Sequence, residues 1–134
     1  MKRLVLKFGG TCVGTIEKIK NVANIIKKRF SEGNEIIVVV SAMAGVTDEL
    51  KAKSGLISKN FDNKELDVLL SSGEQASCSL LSGALINLGV KARSWLGWQI
   101  PIVTNENYTS SQIVKIRTDK ILDFISNKGV AVIA

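Results

Sequence analysis

Lys7-Phe8-Gly9-Gly10-Thr11-Cys12-Val13-Gly14 places a cation, two adjacent glycines and a hydroxyl between a short apolar run at residues 4–6 and a long amphipathic segment. A strand's carboxyl end meeting a helix amino end is an anion site. Glycines let a phosphate approach the backbone, and the unpaired amides and dipole of the helix favour negative charge. The common phosphate loops GxxxxGKS/T and GxGxxG are both missing, and the lysine precedes the glycines here instead of following them. Taken alone, Gly9 and Gly10 equally suit a tight strand-to-helix turn in any α/β domain.

Two further stretches could join this chemistry. Ser41-Ala42-Met43-Ala44-Gly45-Val46-Thr47-Asp48 follows a β-branched run at 36–40, and ligands of open α/β sheets sit at the carboxyl ends of strands. Its Ser, Thr and Asp also read as ordinary caps of a helix beginning near Thr47, the preferred reading for Asp48. Ser71-Ser72-Gly73-Glu74 interrupts an apolar helical region. Either the helix kinks there with Glu74 on the exposed side, or it breaks, opening a new helix amino end toward the pocket with Glu74 aimed at a cationic group.

The elements that must position these groups follow from periodicity. Residues 3–8 read as a buried first strand, and Thr15 caps a helix over 16–30 with Ile16, Ile19, Val22, Ala23, Ile26 and Phe30 on one stripe. Gly33 stops it and Asn34 turns the chain. The run at 36–40 is a strand covered on both faces, so the first three elements form a right-handed βαβ unit. Residues 53–63 read as a helix end plus a surface connection. A helical pattern spans 64–88, and Gly89 ends it before a strand over 90–96. A segment with Pro101, the only proline, leads to a polar loop over 105–111. Thr118 caps a last helix over 119–127, closed by Gly129, and 130–134 is a buried strand. Each earlier strand runs into a polar loop and this one does not, so the sequence reads as the front part of a larger domain. No internal repeat or low-complexity segment is present.

With 134 residues the chain is one domain or part of one. Aromatics are 5% of residues, so the core must come from Ile, Leu, Val and Ala. The net charge of +6 is spread over eighteen basic residues rather than gathered into a basic run with aromatics. Lys18, Lys20, Lys27, Lys28 and Arg29 lie away from the apolar stripe, as on a solvated face. That pattern points away from nucleic acid and suits handling of nucleotide phosphates. Cys12 and Cys78 are the only cysteines, and no histidine or Cys-x-x-Cys pair suggests a metal site. No apolar run is long enough for a membrane span, and the cytoplasm is the expected compartment.

Together the motifs resemble those of the aspartokinases, within the amino-acid kinase superfamily. KFGGTCVG is similar to the family's KFGGTSVG, VVVSAMAGVTD to VVSAMGxxTD, LLSSGEQ to LLSxGEQ/R, GWQIPIVT to GxQAGxxT, and the final GVAVIA to the strand before the GFQG loop. All five occur in the family's order and span the chain. The resemblance implies a three-layer αβα fold with a mainly parallel sheet, of the amino-acid kinase or carbamate-kinase-like type, truncated. It implies transfer of the ATP γ-phosphate to the side-chain carboxylate of L-aspartate, with Mg2+ accompanying ATP, on the route to lysine, threonine and methionine. Lys7 would neutralise the transferring phosphoryl group. Phe8, Gly9 and Gly10 would form the phosphate-binding run, Ser41 would face both phosphate and substrate, and Thr47 and Glu74 would hold aspartate, Glu74 pairing with its α-amino group.

Cys12 replaces the family's usual serine, Ala44-Gly45-Val46 a Gly-Lys-Thr-like triplet, and Pro101 a common alanine. The second half of the family's catalytic domain and its regulatory ACT domains are not in this sequence. The expectation is therefore an amino-terminal part carrying the aspartate side of the site, with little or no kinase activity alone, and a homo-oligomer for the full-length protein. Two other readings stand beside it. One is a sister kinase acting on glutamate, acetylglutamate, carbamate or a nucleoside monophosphate. The other is a non-catalytic module that binds an anion or completes a sheet with another chain through an unpaired last strand.

Overall fold

The computed structural model describes residues 2–134. β1 (Arg3–Phe8) leads through α1 (Ile16–Ser31) to β2 (Glu35–Val40). α2 (Val46–Ile57) and α3 (Asn63–Asn87) carry the chain to β3 (Ala92–Trp95). A hairpin of β4 (Ile102–Thr104) and β5 (Ile113–Ile116), then α4 (Asp119–Ser126), precede β6 (Val130–Ile133). The main sheet has the order β1-β2-β6-β3, every pair parallel. Four carboxyl strand ends therefore open on one edge.

α1 forms where its periodicity predicts. Thr15 accepts the Lys18 N–H at 3.2 Å, Glu17 lies in the first turn, and Lys28 and Arg29 lie in the last, matching the helix dipole. Ile19, Val22, Ala23 and Ile26 are buried against the sheet and α3, whereas Ile16, at the first turn, is 52% exposed. Burial of each large aliphatic chain in this layer contributes about 1.5–3 kcal/mol. Ile36, Val38 and Val40 enter the same core with Leu81 and Leu85 of α3, while Ile37 packs on the opposite face with Ile121 and Ile125 of α4. These are the three layers expected.

The strand over 3–8 has the expected bounds but is not buried. It is an edge strand, Val5 is 65% exposed, and Leu4, Leu6 and Phe8 are half-buried. The last strand, expected to leave its backbone unpaired, is instead central: β6 pairs with β2 on one side and β3 on the other. The hairpin was not legible in the sequence. Ile113, Val114 and Ile116 are exposed, so no alternation of buried positions marks it. Thr118 precedes α4 without a side-chain cap bond. The chain then turns at Lys128, whose φ is 58°, and a side chain at Gly129 would overlap the Phe124 ring.

Candidate active site

Lys7 is exposed at the end of β1, on the face opposite Leu6 and Phe8. The Phe8 carbonyl accepts the Ser41 N–H at 3.2 Å, which carries the β1–β2 ladder into the second loop. Beyond it, the Cys12 N–H donates to the Gly9 carbonyl at 2.9 Å, and Val13 is wholly buried, anchoring the loop in the core. Cys12 itself is exposed. Lys18 adds a second cation here, donating through Nζ to the Thr11 carbonyl at 3.0 Å. In the sequence it reads only as part of a solvated face.

The glycines have different tasks. A Cβ on Gly10 would lie 2.7 Å from the Ala42 carbonyl oxygen, and one on Gly14 would lie 3.1 Å from Ala44 Cβ, so both permit the first two loops to touch. Around Gly9 no atom lies within 4 Å of such a position, which leaves open space beside the backbone. Gly45, with φ 83°, opens α2 without any side-chain cap. The expectation that Ser41, Thr47 and Asp48 cap this helix therefore fails. The helix begins at Val46, and Thr47 and Asp48 lie inside its first turn, Thr47 half-buried.

α3 runs unbroken for 25 residues, so the break at residues 71–74, with its new helix amino end, does not exist. The Ser71 and Ser72 hydroxyls donate to the Val68 and Leu69 carbonyls at 2.8 and 2.6 Å, satisfying themselves within the helix. Gly73 is a contact point: a Cβ there would lie 2.9 Å from Ala42 Cβ and 3.2 Å from Val46 Cγ1. Glu74 is half-buried, not exposed, and its Oε1 accepts the Ala42 N–H at 3.2 Å. Among the described residues no cation pairs with this carboxylate. Ala42 thus joins the three motifs, its carbonyl against Gly10, its methyl against Gly73 and its N–H on Glu74.

Beside this junction lies a cavity of about 490 Å³ bounded by Asp67, Val68, Ser71, Glu74 and Gln75 of α3, by Leu96, Gly97 and Trp98 after β3, and by Ala134. Of the residues singled out in the sequence, Glu74 lines it. Lys7, Phe8, Gly9, Gly10, Ser41 and Thr47 lie outside its walls, Gly10 and Ser41 joined to it through the Ala42 junction. Asp67, Ser71 and Gln75 share the Glu74 side of the helix, a polar stripe at i, i+4, i+7 and i+8 that could have revealed them. A hollow of about 530 Å³ at the opposite sheet edge, lined by Lys2, Leu4, Leu6, Arg29, Glu32 and Asn34, has none of these groups. No cluster of three His, Cys, Asp or Glu side chains converges among the described residues.

Residues 2–134 match the model of the amino acid kinase family. The chain belongs to that family. It is 42% identical over 131 residues to the aspartokinase of Geobacillus stearothermophilus, covering 98% of this chain and 32% of that protein. To the aspartokinase of Rickettsia prowazekii it is 43% identical over 137 residues, covering 100% and 31%. This amino acid kinase chain spans about a third of the length of the curated relatives it matches. The aspartate kinase of Synechocystis superposes with a TM-score of 0.82 at 39% identity, over 100% of this chain and 22% of that one. E. coli aspartokinase III, in complex with aspartate and ADP, has the same fold at a TM-score of 0.76 and 17% identity, over 96% of this chain and 40% of its own.

Proposed function

We propose that this chain is the amino-terminal part of an aspartate kinase catalytic domain and carries the aspartate side of its site. In the reaction a carboxylate oxygen of L-aspartate forms a bond to the γ-phosphorus of ATP. The bond from that phosphorus to the β–γ bridging oxygen breaks, giving 4-phospho-L-aspartate and ADP. The observation that carries the reading is the meeting of the β1 loop, the β2 loop and Glu74 at Ala42, in a chain about 42% identical to aspartokinases over its whole length.

Joining a carboxylate to a polyphosphate brings like charges together, so positioning and charge neutralisation do most of the work. Lys7 supplies the cation at the strand end. The open space beside Gly9 admits a phosphate oxygen to the backbone, and Phe8 holds the two in register through its bond to Ser41. Ser41 and Thr47 bring half-buried hydroxyls. Glu74 anchors Ala42 with one oxygen and offers the other to the α-ammonium of aspartate. Among the described residues no three acidic groups converge on one point, so the Mg2+ that accompanies ATP would be held by the nucleotide and by residues other than such a cluster. Two unpaired cysteines agree with a reducing, cytoplasmic setting.

Calorimetric titration tests the reading. L-Aspartate should bind the chain and Glu74→Gln should abolish binding, because glutamine can still accept the Ala42 N–H but lacks the charge. ATP-dependent aspartyl phosphate formation by the 134 residues alone would refute the division of the site proposed here.

A further inference from the structure

The hairpin lies outside the main sheet, and a two-stranded ribbon in water is marginal on its own. Its loop is well knit internally: Asn105 Oδ1 accepts the Gln112 N–H at 3.0 Å, and the Ser111 hydroxyl donates to the Asn107 carbonyl at 2.9 Å. These bonds shape the loop without placing it. It is placed by α3. The Thr109 N–H lies 3.1 and 3.0 Å from the two oxygens of Asp67, 42 residues away in sequence, and Lys64 Nζ stands 5.2 Å from the centroid of the Tyr108 ring. Thr109 has φ 66°, a left-handed conformation that a residue with a branched Cβ rarely adopts. In this conformation its N–H is held by Asp67. Asp67 is also a wall of the cavity that holds Glu74, seven residues and two turns further along the same helix side.

We infer that Asp67 is a positioning residue, whose carboxylate clasps the hairpin loop through Thr109 and so fixes that loop against the cavity beside Glu74. The two carboxylates on one helix side divide the work. Asp67 has both oxygens turned to the loop, and Glu74 keeps one for ligand. The clasp rests on the contacts above. Its consequence for substrate rests on the aspartate reading of the same cavity.

Residue-resolved amide exchange on the 134-residue chain tests the clasp without any ligand. Losing a bond to a charged acceptor should speed Thr109 exchange about tenfold or more in Asp67→Ala. Asp67→Asn, which keeps one acceptor, should show a smaller rise, and exchange at Val132 in the core should stay unchanged in both. Unchanged Thr109 exchange in Asp67→Ala would overturn the clasp, whatever the ligand. L-Aspartate titrated into the same variants should bind about tenfold more weakly to Asp67→Ala, with partial rescue in Asp67→Asn. Equal affinity in all three chains, with Thr109 released, would overturn the positioning role. Failure of the unsubstituted chain to bind aspartate would count against the substrate reading and overturn the claim that the clasp serves it, and the clasp would then be judged on exchange.

Discussion

Gly73 and Gly83 both lie inside α3, and replacing each with alanine should change stability in opposite directions. The helix-propensity gain is the same at either position, about 1 kcal/mol. Around Gly83 nothing lies within 4 Å of an added Cβ, so Gly83→Ala should gain most of that amount. At Gly73 the new methyl meets Ala42 Cβ at 2.9 Å, which is roughly 0.9 Å short of comfortable carbon–carbon contact. Ala42 Cβ is fixed to the backbone and cannot rotate away. If α3 stays in place, overpacking costs about 1–3 kcal/mol. If it retreats by that shortfall, the 3.2 Å bond from Ala42 to Glu74 opens to about 4 Å, and losing a bond to a charged acceptor costs about 1.5–3 kcal/mol. After the propensity gain of about 1 kcal/mol, Gly73→Ala should be destabilised by about 0.5–2 kcal/mol if the Ala42 bond is lost and by up to about 2 kcal/mol if the helix stays in place. Urea unfolding followed by circular dichroism would measure both variants, and the midpoints should move apart. An equal rise in both midpoints would show that Gly73 is not a contact point and would refute close packing as the reason a glycine stands there.

If the proposed roles hold, then in a full-length enzyme carrying this sequence Lys7→Ala, which removes the charge proposed to act on the phosphoryl group, should lower kcat far more than it raises KM for aspartate, and Glu74→Gln should do the reverse. Unchanged kinetics in both would remove the assigned roles. Burial raises the Cys78 thiol to about 11 from an ordinary 9.0, and the thiol donates to the Val132 carbonyl at 3.1 Å. Below pH 9 both folded and unfolded chains hold the proton. From 9 to 11 only the unfolded chain ionises, so stability should fall there by up to about 2–3 kcal/mol, a decline Cys78→Ala should lack. Parallel pH–stability curves for the two proteins would contradict this. Gly129→Ala should push the Phe124 ring off Trp95, which it meets edge-on with centroids 5.7 Å apart. The expected cost is about 1–3 kcal/mol, with a shift in tryptophan emission, and an unshifted spectrum would mean that the ring stays.

Features set by neighbours along the chain were legible without coordinates. The bounds of β1 and α1, the Thr15 cap and the left-handed glycines at 33 and 89 all follow from local pattern and backbone sterics. So does the placing of Lys7, the glycines and Ser41 at strand ends on one edge. The parallel pairing of β1 with β2 was also legible, because a strand, a helix and a strand in succession bring the two strands together. What failed depends on contacts between more distant segments. The same residues would make β1 a buried or an edge strand, because alternation does not say whether a further strand follows. Gly73 looks alike as a helix breaker and as a place where a loop presses close, since either role needs only a missing Cβ. Glu74 was selected for its charge, but its bond to Ala42, 32 residues away, exists only because α3 lies against the β2 loop. A polar stripe at helical spacing marks the side of α3 that carries Asp67, but nothing local announces its partner, an amide in a hairpin 42 residues away. Local sterics and periodicity act over a few residues and leave their mark in the sequence, while the approach of distant segments is set by the packing of the whole layer.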